Sequence, residues 1–301
     1  MNKRILITGA TGMIGKKLIN ALRESGHTVS ILSRKQRNIP GVQVFLWDVY
    51  SGRIDKDCMI GIDTVIHLAG ENISKYRWSN KRKQQIIDSR VLSTQLLYKA
   101  IKEHHADVDT FIAASASGYY GDCGDEILTE DSPAGFGFLA QCCKQWEDAV
   151  DKGKYLGLRI VKFRTGIILA KGEGALTSFE KPIKFFLGAP LGTGKQWIPW
   201  IHVDDVISAY KNAVESPLMA GAYNACAPFP VTNATLTKAI ARKLLRPVWP
   251  FNIPEKILRI LLGEMSEVIF TSSNTSAQKL LSADFKFKYT QLMDALSDIY
   301  G

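Results

Sequence analysis

The chain has 301 residues, 46% hydrophobic and 22% charged, with a formal charge of +9 at pH 7. That composition excludes intrinsic disorder and leaves length for one large α/β domain, or for a nucleotide domain with a smaller lobe. Five cysteines (Cys58, Cys123, Cys142, Cys143, Cys226) form no Cys-x-x-Cys pair, and an odd number in so long a chain points to reduced thiols and a cytoplasmic location. No apolar run reaches membrane-spanning length, and the N-terminus meets a glycine before a signal-peptide core could develop. The basic residues are dispersed, with Lys81-Arg82-Lys83 the densest group, which reads as a solvated helix face rather than a nucleic-acid surface. Neither membrane nor nucleic acid is an expected partner.

Ile5-Leu6-Ile7-Thr8 is a short apolar run ending at glycine, the pattern of a buried parallel strand. The spacing then predicts a helix over about 13–24, with Ile14, Leu18, Ile19 and Leu22 on one face. Between them, Gly9-Ala10-Thr11-Gly12-Met13-Ile14-Gly15 has the spacing G-x-x-G-x-x-G in the strand-to-helix context that dinucleotide binding requires. Gly9 permits the tight turn, Gly12 lets a pyrophosphate approach bare backbone, and Gly15 lets the helix pack closely on the sheet. Gly9, Thr11, Gly12, Met13, Ile14 and Gly15 are therefore candidate cofactor-binding residues, since a helix N-terminus offers unpaired N–H groups to an anion.

A second strand follows at 27–32 and a third at 42–46. After the second comes Leu32-Ser33-Arg34-Lys35, with no carboxylate to take a ribose 2′-hydroxyl. Arg34 can grip a 2′-phosphate in a two-pronged contact and Lys35 adds charge, so the expected cofactor is NADP(H). Asp48 stands after the third strand, where it either reaches the adenine amino group or caps a turn. A fourth strand spans 64–69 and a long helix about 80–103; strands at 111–114 and 158–163 bracket a helix near 138–152. This alternation predicts a Rossmann-type doubly wound parallel sheet. Beyond about 165 glycine and proline become frequent and helices follow without paired strands, so residues 1–165 are the expected NADP-binding domain and 166–301 mainly a smaller α+β substrate lobe. Segments near 198–226 are expected to return to the first domain.

The chain resembles the extended, atypical short-chain dehydrogenase/reductase superfamily, in its NAD-dependent epimerase/dehydratase-like "epimerase family" branch. The resemblance runs nearly end to end. It rests on the glycine turn, on His67-Leu68-Ala69-Gly70-Glu71-Asn72, on Ser89-Arg90 with Thr94, and on Ser115-Ala116-Ser117-Gly118-Tyr119-Tyr120-Gly121. It continues through Trp146-Glu147, Arg164-Thr165-Gly166, Trp200-Ile201-His202-Val203-Asp204-Asp205 and Pro228 to Asn233. It implies that His67, Leu68, Ala69 and Gly70 lie against the adenosine and nicotinamide ribose, and that 200–205 closes a substrate pocket. His202 itself reads as a structural histidine.

The superfamily's usual chemistry needs a Ser, a Tyr and a Lys four residues after that Tyr. Here the helix reads Phe138 to Glu147, and the pair is Ala140 and Lys144 in one register or Leu139 and Cys143 in the other. The usual serine position holds Ala116. The proton must then be carried by another group: Ser115, Ser117, Tyr119 and Tyr120 are the candidate catalytic residues, Ser115 being a candidate cofactor-binding residue as well, with the thiols of Cys142 and Cys143 also nearby in sequence. Trp146 reads as core and Glu147 as the partner of a cation. Arg90 and Arg164 either hold an anionic part of the ligand or form salt bridges within the domain. The Gly188–Gly194 loop, followed by Lys195, Gln196 and Trp197, is either a substrate lid or a connector. No metal site is expected, and the chain is expected as a monomer or homodimer with a small-molecule substrate.

Two functions of different class follow. One is an NADP(H)-binding oxidoreductase or nucleotide-sugar epimerase-like enzyme with a modified proton relay. The other is a non-catalytic NADP(H)-binding regulator linked to cell division, a role the resemblance suggests for some relatives.

Overall fold

The computed structural model describes residues 2–301. The chain opens with β1 (Arg4–Thr8), α1 (Met13–Glu24), β2 (Thr28–Ser33), β3 (Gln43–Asp48), β4 (Arg53–Ile54), β5 (Thr64–His67), α2 (Asn80–Glu103) and β6 (Thr110–Ala116). It continues with β7 (Ile127–Leu128), α3 (Phe138–Asp151), β8 (Arg159–Thr165), β9 (Ile167–Leu169), α4 (Leu176–Lys184), β10 (Trp197–Ile198), β11 (Trp200–His202) and α5 (Val203–Glu215). The last elements are β12 (Gly221–Ala225), β13 (Val231–Thr232), α6 (Asn233–Lys243), α7 (Glu255–Leu262), α8 (Glu267–Phe270), β14 (Asn274–Thr275), α9 (Gln278–Ser282) and α10 (Leu292–Tyr300).

The main sheet has eight strands in the order β12-β8-β6-β5-β1-β2-β3-β4. All its pairings are parallel except β3 with β4. The order reverses beside β1, which is where a doubly wound sheet opens a crevice for a ligand at its carboxyl edge. Alternation along each strand feeds two cores. Ile5 and Ile7 of β1 face Leu18, Leu22, Val206 and Tyr210 of α1 and α5. Leu6 and Val65 face Leu97, Ile101, Trp146 and Val150 of α2 and α3.

The chain beyond 165 divides. Helix α5 and strand β12 pack on the sheet, whereas α4, α6 and α10 gather around a separate apolar cluster that includes Leu176, Trp200, Leu236, Ile240 and Leu296. β12 departs from the sequence reading, which places no paired strand after 165. Gly-Ala-Tyr-Asn-Ala has few strand-favouring residues, and its extended form comes from five registered pairings with β8. Among the described residues no helix is long and apolar enough to cross a membrane.

Candidate functional site

The turn from β1 into α1 is built by glycines that a side chain would obstruct. Gly9 has φ +66°, and a Cβ there would lie 2.6 Å from the Leu68 carbonyl carbon. A Cβ on Gly15 would meet the Ala10 Cα at 2.5 Å, so α1 approaches the turn only because that residue is bare. Gly12 is the N-cap of α1, has no capping side chain, and is followed by no acidic residue in the first turn. The first-turn N–H groups therefore face outward unneutralised, as an anion site requires.

The cleft above this turn encloses about 710 Å³. It is lined by Gly9, Thr11 and Gly12 of the turn, by Leu68, Ala69 and Gly70 after β5, by the cations Arg34, Lys35 and Arg37, and by Asp48. The structure thus brings Gly9, Thr11, Gly12, Arg34, Lys35, Asp48 and Leu68–Gly70 of the expected cofactor residues together, whereas Met13, Ile14, Gly15, His67, Arg90, Ser115 and Arg164 do not line this cleft. Arg34 has a 77% exposed side chain and stands 3.6 Å from Glu71, leaving its guanidinium accessible to a ligand phosphate. Asp48 accepts hydrogen bonds from the Tyr50 and Ser51 amides at 3.0 and 3.4 Å; it caps a turn while lining the cleft, and hydrogen bonding from Ser51 holds its carboxyl below the ordinary range. Glu71, Arg37, Tyr50 and Ser89 also line the cleft, although sequence reasoning assigned them no role. For Arg37 the signal was available: a third cation within four residues of the β2 end.

His67 is placed differently from the expectation that it lies against a ribose. Its ring is fully buried beneath the cleft and bonds Thr8 Oγ1 at 2.7 Å and Ser93 Oγ at 3.0 Å. Thr8 Oγ1 accepts from the Leu68 and Ala69 amides, so its own proton must go to His67 Nδ1. The imidazole is then neutral with its proton on Nε2, donated to Ser93, whose hydroxyl donates to the Ser89 carbonyl. Burial depresses the His67 pKa to about 3. Through Thr8, His67 is tied to the Leu68 and Ala69 amides that line the cleft.

Arg90 and Arg164 also turn inward. Arg90 donates to the carbonyls of Ile86 and Glu71 and lies over the Trp146 ring. Arg164 forms a bidentate pair with Glu147, Nε to Oε1 at 2.9 Å and Nη2 to Oε2 at 3.0 Å. It also donates to the Tyr120 hydroxyl and the Glu130 carbonyl. Burial would raise the Glu147 pKa, but hydrogen bonds from Arg164 and the charge of Lys162 outweigh it and the carboxyl lies below its ordinary value. The salt-bridge reading of Arg164 describes its position.

This buried network engages two of the four catalytic candidates. Ser115 donates to Glu147 at 2.7 Å, and Tyr120, fully buried, donates to Asn224 at 2.6 Å. Ser117 and Tyr119 lie beyond the carboxyl end of β6, half-buried, and among the described residues their hydroxyls have no hydrogen-bond partner. The Arg164 guanidinium stacks 3.5 Å from the Tyr119 ring centre. On α3, Lys144 points to solvent and pairs with Asp148 at 2.7 Å. Cys143 is buried and Leu139 half-buried against Gly118, and Ala140, at the tyrosine position of the other register, is fully buried as well. Burial pushes the Cys143 thiol up to about 12, so no thiolate is available there at neutral pH. The N-terminus of α3 is capped from the C-terminal part of the chain, where Glu267 accepts from the Phe138 and Leu139 amides.

Two other expectations become specific. His202 caps α5 by accepting from the Asp204 amide and is almost fully buried. Asp204 and Asp298 stand near its ring, but Lys288 pairs with Asp204 at 3.0 Å. The 188–194 loop is tied down: Leu191 donates to Asn233, Gln196 bonds the Leu191 and Ile269 carbonyls, and Trp197 bonds Asp125. Such anchoring suits a connector better than a lid.

Residues 5–136 match the model of the NAD dependent epimerase/dehydratase family, and residues 253–299 match a domain of unknown function, DUF1731. An epimerase family protein of Mycobacterium leprae is 37% identical over 97% of this chain and 94% of its own length. The crystal structure of human epimerase family protein SDR39U1 with NADPH superimposes with a TM-score of 0.85 at 28% identity, covering 99% of both chains. A nucleoside-diphosphate sugar epimerase from Corynebacterium glutamicum gives 0.82 at 33% identity, covering all of this chain and 59% of that one. The chain belongs to the epimerase family.

Proposed function

With that membership as premise, we propose that the chain binds NADP(H) across the carboxyl edge of β1, β2 and β3 and is an oxidoreductase or nucleotide-sugar epimerase-like enzyme with an altered proton relay. The observation that carries the reading is the cleft: it is lined by the Gly9–Gly12 turn that leads into the uncapped N-terminus of α1 and by three cations, Arg34, Lys35 and Arg37, with no acidic residue on β2. The residues fit the group. At Gly9 and Gly15 a Cβ would run into the Leu68 and Ala10 backbone and force the glycine turn apart, and Arg34 and Lys35 would take the 2′-phosphate. The human relative with NADPH supports this choice.

Bound there, NADPH supplies hydride chemistry. The remaining task for the protein is to hold a substrate oxygen and move its proton. Ser117 and Tyr119 are the strand-end hydroxyls left open for it, and Arg164 keeps a fixed cation against the Tyr119 ring. Ser115 and Tyr120 act through the buried network as supports. The test follows NADPH oxidation and product stereochemistry over a panel of carbonyl compounds and sugar nucleotides. Tyr119→Phe should cut turnover at least a hundredfold, within the usual contribution of a general acid–base group, with NADPH affinity unchanged; unaltered turnover would refute the assignment.

One observation favours a second reading. On α3 the pair is Leu139 with Cys143 or Ala140 with Lys144 rather than a phenol with an ammonium, as a non-catalytic NADP(H)-binding regulator would tolerate. Tight NADPH binding with no turnover across the panel would establish that alternative.

A further inference from the structure

Outside the residues that line the cleft, two helix ends meet in an apolar and basic surface that the proposed chemistry does not use. α4 ends at Lys184 and α6 at Lys243, and the segments that follow expose Phe185, Phe186, Leu187, Leu245, Trp249 and Phe251. Phe185 is 75% exposed and Leu245 85%, so these side chains project from the surface rather than line a groove. The loops are stitched together: Trp249 Nε1 donates to the Phe186 carbonyl at 2.7 Å, and the Arg246 guanidinium lies 4.8 Å from the Phe186 ring. The presentation is also costly. Phe186 and Leu245 are bulky residues at φ +62° and +53°, at chain reversals where glycine normally stands.

Along these two segments the charge has one sign. Between Lys181 and Gly188, and again between Arg242 and Asn252, there is no acidic residue, while Lys181, Lys184, Arg242, Lys243 and Arg246 contribute five cations. Nearby Glu180 is buried, held by Lys184 and Tyr300. Projecting Trp, Phe and Leu side chains amid Lys and Arg are what a peripheral protein offers to an anionic bilayer, the rings entering the headgroup boundary while the cations meet the lipid phosphates.

We propose that this surface docks the protein on anionic lipid. The earlier expectation of no membrane partner rested on the absence of a spanning segment, which has no bearing on a surface contact. The test is co-sedimentation of the full chain with vesicles of phosphatidylcholine containing about 30% phosphatidylglycerol, and with phosphatidylcholine alone. Binding to the anionic vesicles, weakened by salt, is expected. Each cation near such a surface strengthens partitioning roughly fivefold, so Lys181→Gln, Arg242→Gln and Arg246→Gln combined should weaken binding about a hundredfold. Phe185→Ser with Leu245→Ser should weaken it comparably, and both variants should keep the parent melting temperature because every altered side chain is exposed. No binding to anionic vesicles, equal binding to both lipids, or binding indifferent to the substitutions would overturn the proposal. So would self-association that the Phe185→Ser, Leu245→Ser variant abolishes in a chain that ignores vesicles, which would assign the surface to a second copy.

Discussion

Acidification tests the His67 assignment most directly. The native ring has a pKa of about 3, because burial disfavours its charged form, against an ordinary value of 6.5 in the unfolded chain. Below pH 6.5 the unfolded chain takes up a proton at this position that the native one refuses, so stability falls as pH falls, and this loss saturates only below about 3. Between pH 7 and pH 5 the cost is about 2 kcal/mol. Urea unfolding of the parent and of His67→Gln at both pH values would read it. The variant keeps an amide that can bond Thr8 and Ser93 and removes the titrating group. Its own stability should therefore vary less with pH than the parent's by that amount, whatever its absolute value. His202, whose pKa burial also lowers, contributes equally to both chains and cancels. Parallel pH dependences would refute the neutral, doubly bonded imidazole, as would an NMR titration showing ring protonation near pH 6.

Glu147→Gln leaves Arg164 facing a neutral partner in the interior and removes one of the two carboxylates beside Lys162, which retains Asp151. A loss of about 3 kcal/mol in urea unfolding is expected, and a change below about 1 kcal/mol would show that the network is not the buried unit described. Arg34→Ala should weaken NADP(H) by about 1–2 kcal/mol, a modest value because the side chain is exposed, while leaving NAD(H) nearly unaffected by calorimetry. Equal losses for both cofactors would refute the phosphate contact.

Local pattern decided the core of the fold. Ile5-Leu6-Ile7, the glycine spacing that follows and the apolar stripe of α1 specify strand, turn and helix from neighbours along the chain, and the open end of that helix specifies an anion. The absence of an acid after β2 was legible for the same reason: residues 32–35 lie in one short segment, and their position above the turn follows from the β-α-β crossover.

Other features depended on partners distant in sequence. β12 is a strand because β8 offers it a row of backbone partners. Arg82, in the most basic stretch of the chain, is buried because Glu71 pairs with its charge and the Asn72 carbonyl accepts a hydrogen bond from it. Ser115 and Tyr120 look as available in sequence as Ser117 and Tyr119, until Glu147 and Asn224 close over them. Local sequence determined the backbone of β1, α1 and β2 and where an anion could rest. Which polar side chains remain open to a ligand was decided only in three dimensions, because a buried hydroxyl or charge must find a partner wherever the fold supplies one.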